Sequence, residues 1–155
     1  MVSIVVMSLD GPESVEGCLS RIEEFTPEEH RVIVVDVPEV GGDWAVARAM
    51  NRAAEEASGD HIAFLTADTE VTPSWLTCLL RCMEKTGAGA VGPMCNLLPG
   101  AQNLLPDLCA HSDVRSFAAS FNRPDASKWR RTVGIASAPM LVSRDLFSEL
   151  DGFDE

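Results

Sequence analysis

His61-Ile-Ala-Phe-Leu-Thr-Ala-Asp-Thr-Glu-Val-Thr-Pro-Ser-Trp-Leu76 sets the reading of the whole chain. It begins as an apolar run of strand length and breaks off in the polar Thr66-Ala-Asp-Thr69. Thr72-Pro73 then predicts a helix start, the hydroxyl as cap and the proline at the first helical position. Trp75, Leu76, Leu79, Leu80 and Met83 follow at helical spacing as far as a stop at Gly87. A buried strand that hands acid and hydroxyl groups to the start of a helix is the repeating unit of an α/β protein.

The same unit recurs upstream. Ser3-Ile-Val-Val-Met7 reads as a buried strand that stops at Asp10-Gly-Pro12, followed by a helix with Val15, Cys18, Leu19, Ile22 and Phe25 in register. Arg31-Val-Ile-Val-Val-Asp36 reads as a second buried strand ending in a carboxylate. A loop with Pro38 and Gly41-Gly42 leads to a helix from Trp44 to Ser58, with Ala47, Met50, Asn51 and Ala54 in register and Gly59 as its stop. Downstream, Ala90-Val-Gly-Pro93 is a short strand, 94–131 an irregular region with one short helix, and 132–142 apolar again. Asp145 to Leu150 is a brief helix before Asp151-Gly-Phe-Asp-Glu155. This order predicts one α/β domain over residues 1–155, with a mostly parallel sheet flanked by helices. Such sheets bind ligands at the carboxyl ends of their strands, where Ser8 with Asp10, Asp36, and Asp68 with Thr69 are gathered.

Composition narrows the partners. The 155 residues are 46% hydrophobic, enough for one sizeable core. A net charge of -12 argues against nucleic acid and repels anionic membrane surfaces. An anionic ligand would need helix N-termini, a metal ion or a few placed cations to overcome that field. The cysteines, Cys18, Cys78, Cys82, Cys95 and Cys109, are odd in number with no C-x-x-C pair, which fits a reducing, cytoplasmic setting better than a disulfide framework. Residues 1–6 lack the features of a leader, and no apolar run approaches the ~20 residues needed to span a bilayer. His30, His61 and His111 have no metal-ligand spacing, and Glu23-Glu24 and Glu28-Glu29 read as solvated surface. Neither G-x-G-x-x-G nor G-x-x-x-x-G-K-[ST] occurs.

What occurs instead is Val34-Val-Asp36 and, about thirty residues on, Phe64-Leu-Thr-Ala-Asp-Thr-Glu-Val-Thr-Pro-Ser-Trp-Leu76. The string resembles the metal-binding strand end of family-two glycosyltransferases with the GT-A fold, rhamnosyltransferase-like members among them. The resemblance covers nearly the whole chain: Ser3 to Asp10 is similar to the opening strand, Ala47-Arg-Ala-Met-Asn51 with Ala57-Ser-Gly-Asp60 to the second helix and its turn. Gly89 to Pro93, Asn96 and Gly100-Ala-Gln102 are similar to the stretch that follows, and Ser143 to Glu155 to the approach to the catalytic segment. It implies a nucleotide-diphosphate sugar as donor, a saccharide, lipid or protein as acceptor, and an inverting, metal-assisted transfer. It also implies that Ser8, Asp10 and Asp36 line the nucleotide pocket and that Asp68 coordinates a divalent cation, Mn2+ or Mg2+. Arg48 and Asn51 would face the pocket from the helix, with Gln102 reaching the sugar or acceptor.

Other roles stand beside these: a strand-end cap for Asp36, a turn role for Asp68, a solvated face for Arg48. Trp44 and Trp75, at helical spacing, are expected in the core rather than stacked on a ligand. The sequence departs from the family at Val37 to Asp43, at Thr66-Ala67 and at Ala136-Ser-Ala138, so the donor nucleotide is left open. The family's catalytic base is expected beyond Glu155. A catalytically inactive module of the same fold, used for binding or structure, is the alternative to a transferase. A nucleotidyltransferase-like protein would need a glycine-rich, basic first loop that Gly11-Pro12 does not supply.

Overall fold

Val2–Ser8 form β1, and all seven of its residues are buried. The computed structural model describes residues 1–9, 11–37, 42–96, 98, 102–104 and 114–155. After β1 come a 3-10 turn (Pro12–Val15), α1 (Glu16–Phe25), β2 (His30–Asp36), α2 (Gly42–Glu55), β3 (His61–Thr66), α3 (Trp75–Thr86) and β4 (Ala90–Val91). Further on are α4 (Val114–Phe121), a second 3-10 turn (Ala126–Lys128), β5 (Met140–Ser143) and α5 (Arg144–Glu149). No helix among the described residues is long and apolar enough to cross a membrane.

The strands are ordered β2-β1-β3-β5-β4. β1 pairs in parallel with β2 and β3, whereas β5 runs antiparallel to both β3 and β4. The sheet is therefore mixed: β5 alone is reversed, because the chain reaches it through the long excursion after β4 rather than through a crossover helix.

Successive β1 side chains point to opposite faces, and each face has its own helix layer. Val2, Ile4 and Val6, with Ala63 and Leu65 of β3, pack against Cys18 and Ile22 of α1 and Trp75, Leu76, Leu79 and Met83 of α3. On the other face Val5, Met7, Ile62 and Phe64 meet Ala49, Met50 and Ala53 of α2 and Leu146 and Phe147 of α5. Phe64 is fully buried. Its ring lies 5.4 Å from those of both Phe147 and Phe153, which are 5.2 Å from each other.

Four local expectations are corrected. β2 is an edge strand in which only Ile33 is buried and Val34 is 43% exposed. Its unbroken apolar run suggested full cover on both faces, but the α1/α3 face covers only Val32, and that in part, while Ile33 and Val35 pack on the α2 side. In α2 the buried stripe is Ala49, Met50 and Ala53, while Ala47, Asn51 and Ala54 are half-buried. Trp44 is 63% exposed and not a core residue, because it shares its helical stripe with Arg48 and Arg52 at four-residue steps toward the open sheet edge. α3 begins at Trp75 rather than Thr72: Ser74 takes a left-handed conformation, φ 63°, and the Thr72 hydroxyl accepts from Asn122 at 2.9 Å instead of capping the helix.

Gly59 lies beyond the end of α2 and serves the following turn. Its φ is +96°, and a Cβ there would stand 2.4 Å from the Met1 carbonyl oxygen. Gly87 does end α3, as its left-handed cap.

Truncating a fully buried aromatic ring removes its transfer free energy and leaves a cavity. Phe64→Ala is expected to lower stability by about 3–5 kcal/mol, measured by urea denaturation, with the exposed Val34→Ala as a near-neutral control.

Candidate functional site

The parallel register brings three strand ends to one edge. Ser8 lies opposite Asp36 across the β1–β2 pair, and Met7 opposite Thr66 across β1–β3. Asp36 and the start of the Thr66–Thr69 turn therefore flank β1, two inter-strand spacings or roughly 10 Å apart.

The residues at this edge differ in what they do for the fold. Ser8 is buried, and its hydroxyl donates to the Gly11 carbonyl at 2.5 Å and lies 3.2 Å from the Ser14 hydroxyl. It thus closes the turn after β1. Asp10, on that turn, lies outside the described residues. Asp36 is exposed and makes no hydrogen bond or ion pair among the described residues. Asp68 is also exposed; it accepts a hydrogen bond from the Thr66 hydroxyl, which in turn lies 3.0 Å from that of Thr69.

Two hollows open here. The larger, about 520 Å³, runs between the free edge of β2 and α2, with Asp36, Trp44, Arg48 and Arg52 on its walls. The smaller, about 240 Å³, lies between α1 and the turn after β3 and is lined by Cys18, Arg21, Asp68, Thr69 and Glu70. Burial, with the Asp68 charge adding to it, pushes the Cys18 thiol up to about 11. It stays protonated at neutral pH and is neither a nucleophile nor a soft metal ligand.

The remaining expected site residues are tied into the protein itself. The Asn51 amide donates to the Phe153 carbonyl at 2.9 Å and to a Glu155 carboxylate oxygen at 3.1 Å, and accepts from the Phe153 N–H at 2.9 Å. Arg48 completes the arrangement with an ion pair to Glu155 at 3.1 Å. Gly152, between them, has φ +80°, and a Cβ there would stand 2.4 Å from the Asn51 oxygen. These side chains strap residues 152–155 onto α2, with Phe153 in the aromatic cluster below.

Gln102 is only 7% exposed, and its amide donates to the Pro93 carbonyl at 3.0 Å and accepts from the Ala136 N–H at 2.6 Å. It braces two loops and leaves neither end of its amide free. Both amides sit in motifs that suggested ligand contact; the structure spends them on main chain because a buried or half-buried amide needs all its partners. Trp44 and Arg52 were missed as groove residues, although the four-residue stripe they form with Arg48 was readable.

A family model for glycosyl transferase family 2 matches residues 13–147. The chain belongs to that family. The O-antigen biosynthesis protein RfbC of Myxococcus xanthus is 33% identical over 116 residues, which is 68% of this chain and 9% of that protein. The mannosyltransferase PcManGT from Pyrobaculum calidifontis, solved with GDP-Man and Mn2+, has a similar fold with a TM-score of 0.64 and 19% identity. That likeness covers 99% of this chain and 47% of the mannosyltransferase, so this family-two chain spans less than half the length of either relative. The mixed five-stranded sheet with helices on both faces is thus the expected GT-A fold.

Within this family-two domain the strap has a testable pH dependence. Hydrogen bonds from Asn51 and Arg48 hold the Glu155 carboxyl below its ordinary value. A depressed carboxyl contributes at neutral pH and loses that contribution as the pH falls through the folded-state value. Amide exchange at Phe153 should therefore speed up as the strap loosens, both on acidification beyond what intrinsic exchange explains and in Asn51→Ala at neutral pH. Exchange unchanged in Asn51→Ala would mean the aromatic cluster alone holds the segment.

Proposed function

We propose that this chain is the donor-binding part of a glycosyltransferase that takes a sugar from a nucleotide diphosphate. The observation that carries the reading is the pair of exposed carboxylates, Asp36 and Asp68, standing on either side of β1 at the carboxyl edge of the sheet. The nucleoside is assigned to the larger groove, with Asp36 accepting from base or ribose and the Trp44 indole offering an apolar wall. The diphosphate is assigned to the side of Asp68.

An anion beside two carboxylates in a chain of charge -12 needs a counter-charge. Asp68 is the residue that would hold a divalent cation, Mn2+ or Mg2+. Among the described residues no three histidine, cysteine or acidic side chains converge into a ready cage. A single open carboxylate fits a hard cation that takes its other oxygens from the diphosphate and water. When bound, such an ion neutralises charge on the departing diphosphate. Ser8, Gln102 and Asn51 act as positioning residues that fix the loops around the donor. Arg48 remains at the groove wall while paired to Glu155.

Transfer with inversion at a saccharide, lipid or protein acceptor is the reaction we assign to the full enzyme; the base is assigned to none of residues 1–155. The free Cys18, Cys78, Cys82 and Cys95 support a reducing, cytoplasmic setting.

Calorimetry with UDP-, GDP- and dTDP-sugars, each with and without Mn2+, tests the donor site. One donor should bind in a cation-dependent manner, Asp68→Ala should abolish the cation dependence, and Asp36→Ala should weaken binding about tenfold or more, the loss of one charged hydrogen bond. Both variants should melt as the parent does, since both carboxylates are exposed. If no donor raises the melting temperature, with or without the cation, the inactive binding module is the better reading.

A further inference from the structure

The charge of the chain is segregated. Residues 114–134 hold five of the 12 basic residues and one of the 24 acidic ones, so this short run is net +4 while the rest of the chain is net -16. The single carboxylate in the run, Asp125, caps the 3-10 turn by accepting from the Ser127 N–H at 2.9 Å and the Ser127 hydroxyl at 2.7 Å. Lys128 is likewise spent internally, donating to the Phe121 carbonyl at 2.9 Å with its ammonium 4.5 Å from the Phe121 ring centre.

Arg123, Arg130 and Arg131 are different. All three are exposed, and none of their guanidiniums makes an ion pair or hydrogen bond among the described residues, whereas Arg21, Arg48 and Arg81 each pair with a glutamate. Beside them Val133 is 111% exposed, as open as a free residue, on a turn closed by the Thr132 hydroxyl donating to the Gly134 carbonyl at 3.0 Å. Neither of the two hollows at the carboxyl edge is lined by these side chains. Unpaired guanidiniums around a protruding apolar tip, outside both of those hollows, suit a broad anionic and partly apolar surface better than a small soluble anion.

We propose that the run Arg123–Val133 docks on an anionic lipid bilayer, with Arg123, Arg130 and Arg131 at the headgroups and Val133 at the acyl boundary. The net charge of the chain does not forbid this. At physiological salt the Debye length is about 8 Å, so carboxylates on the far side of the domain are screened while the local cations act at contact. The same asymmetry gives the docked molecule one orientation. β5 runs antiparallel to β3, with Met140 opposite Phe64, so residues 123–139 approach the sheet from the carboxyl edge that carries Asp36 and Asp68. Asn122 ties the start of the run to that edge through Thr72 and Pro73, both at 2.9 Å. The edge proposed to bind the donor is thereby brought toward the bilayer, although docking itself requires no transfer activity.

Vesicle co-sedimentation of the full chain tests this. Binding is expected to phosphatidylglycerol-containing vesicles and not to pure phosphatidylcholine, and to fall steeply with salt. Each arginine near the surface contributes about fivefold, so Arg130→Gln/Arg131→Gln should weaken binding about 25-fold and the triple variant with Arg123→Gln about 100-fold, at unchanged melting temperature. Val133→Asp should weaken binding as well. Equal binding to neutral and anionic vesicles, or arginine variants that bind like the parent, would overturn the proposal. So would saturable shifts of residues 130–134 with inorganic pyrophosphate and no vesicle binding, which would make the run a soluble-phosphate site.

Discussion

β1 is the member on which everything else is placed. It sits inside the sheet with seven register pairs to β2 and six to β3, and every one of its side chains is buried. Parallel neighbours cannot be joined by tight turns, so each connection must cross a face as a helix. With both faces of β1 covered, burial of Ile4, Val5, Val6 and Met7 contributes roughly 1.5–3 kcal/mol for each side chain. The constraint has a geometric consequence: the three strands end together, and whatever polar residues follow them are gathered at one edge. Asp36 and Asp68 stand apart in the sequence and close in space for that reason.

Electrostatics gives that edge its character. Two exposed carboxylates in an acidic domain are a poor host for an anion by themselves, and a good host for an anion that arrives with a hard cation. The basic residues of the domain are distributed accordingly. Some are consumed in pairs, Arg48 with Glu155 being the one nearest the groove. Among the described residues, three guanidiniums without a partner, those of Arg123, Arg130 and Arg131, lie in the excursion between β4 and β5, which enters the sheet from the same edge. Donor recognition and surface contact can thus be served by separate charges without neutralising each other.

The strap of residues 152–155 illustrates how a motif can be recognised and its physical role misassigned. Asn51 stands one turn past Arg48 on a half-buried stripe of α2, a position that suits a ligand as well as it suits the protein's own chain. Phe153 settles the matter by entering the aromatic cluster against Phe64 and Phe147, which brings its peptide groups against the Asn51 amide. The glycine at 152 is then required, because any side chain would displace the amide oxygen. Gln102 follows the same logic between Pro93 and Ala136.

Local patterns were sufficient for the elements, their order, the carboxyl-edge location of Asp36 and Asp68 and the family. These depend on hydrophobic periodicity, on glycine and proline punctuation and on short strings, all carried by neighbours in the chain. The position of β2 at the sheet edge, the exposure of Trp44, the reversal of β5 and the partners of Asn51, Arg48 and Gln102 were not legible there. Each depends on residues dozens of positions away: an apolar run such as Val32 to Val35 reads the same whether one face or two are covered, and an amide carries no mark of whether its partner is a ligand or main chain. Packing against distant segments makes that choice, since a polar group withdrawn from water takes whichever partner the folded chain has placed within reach.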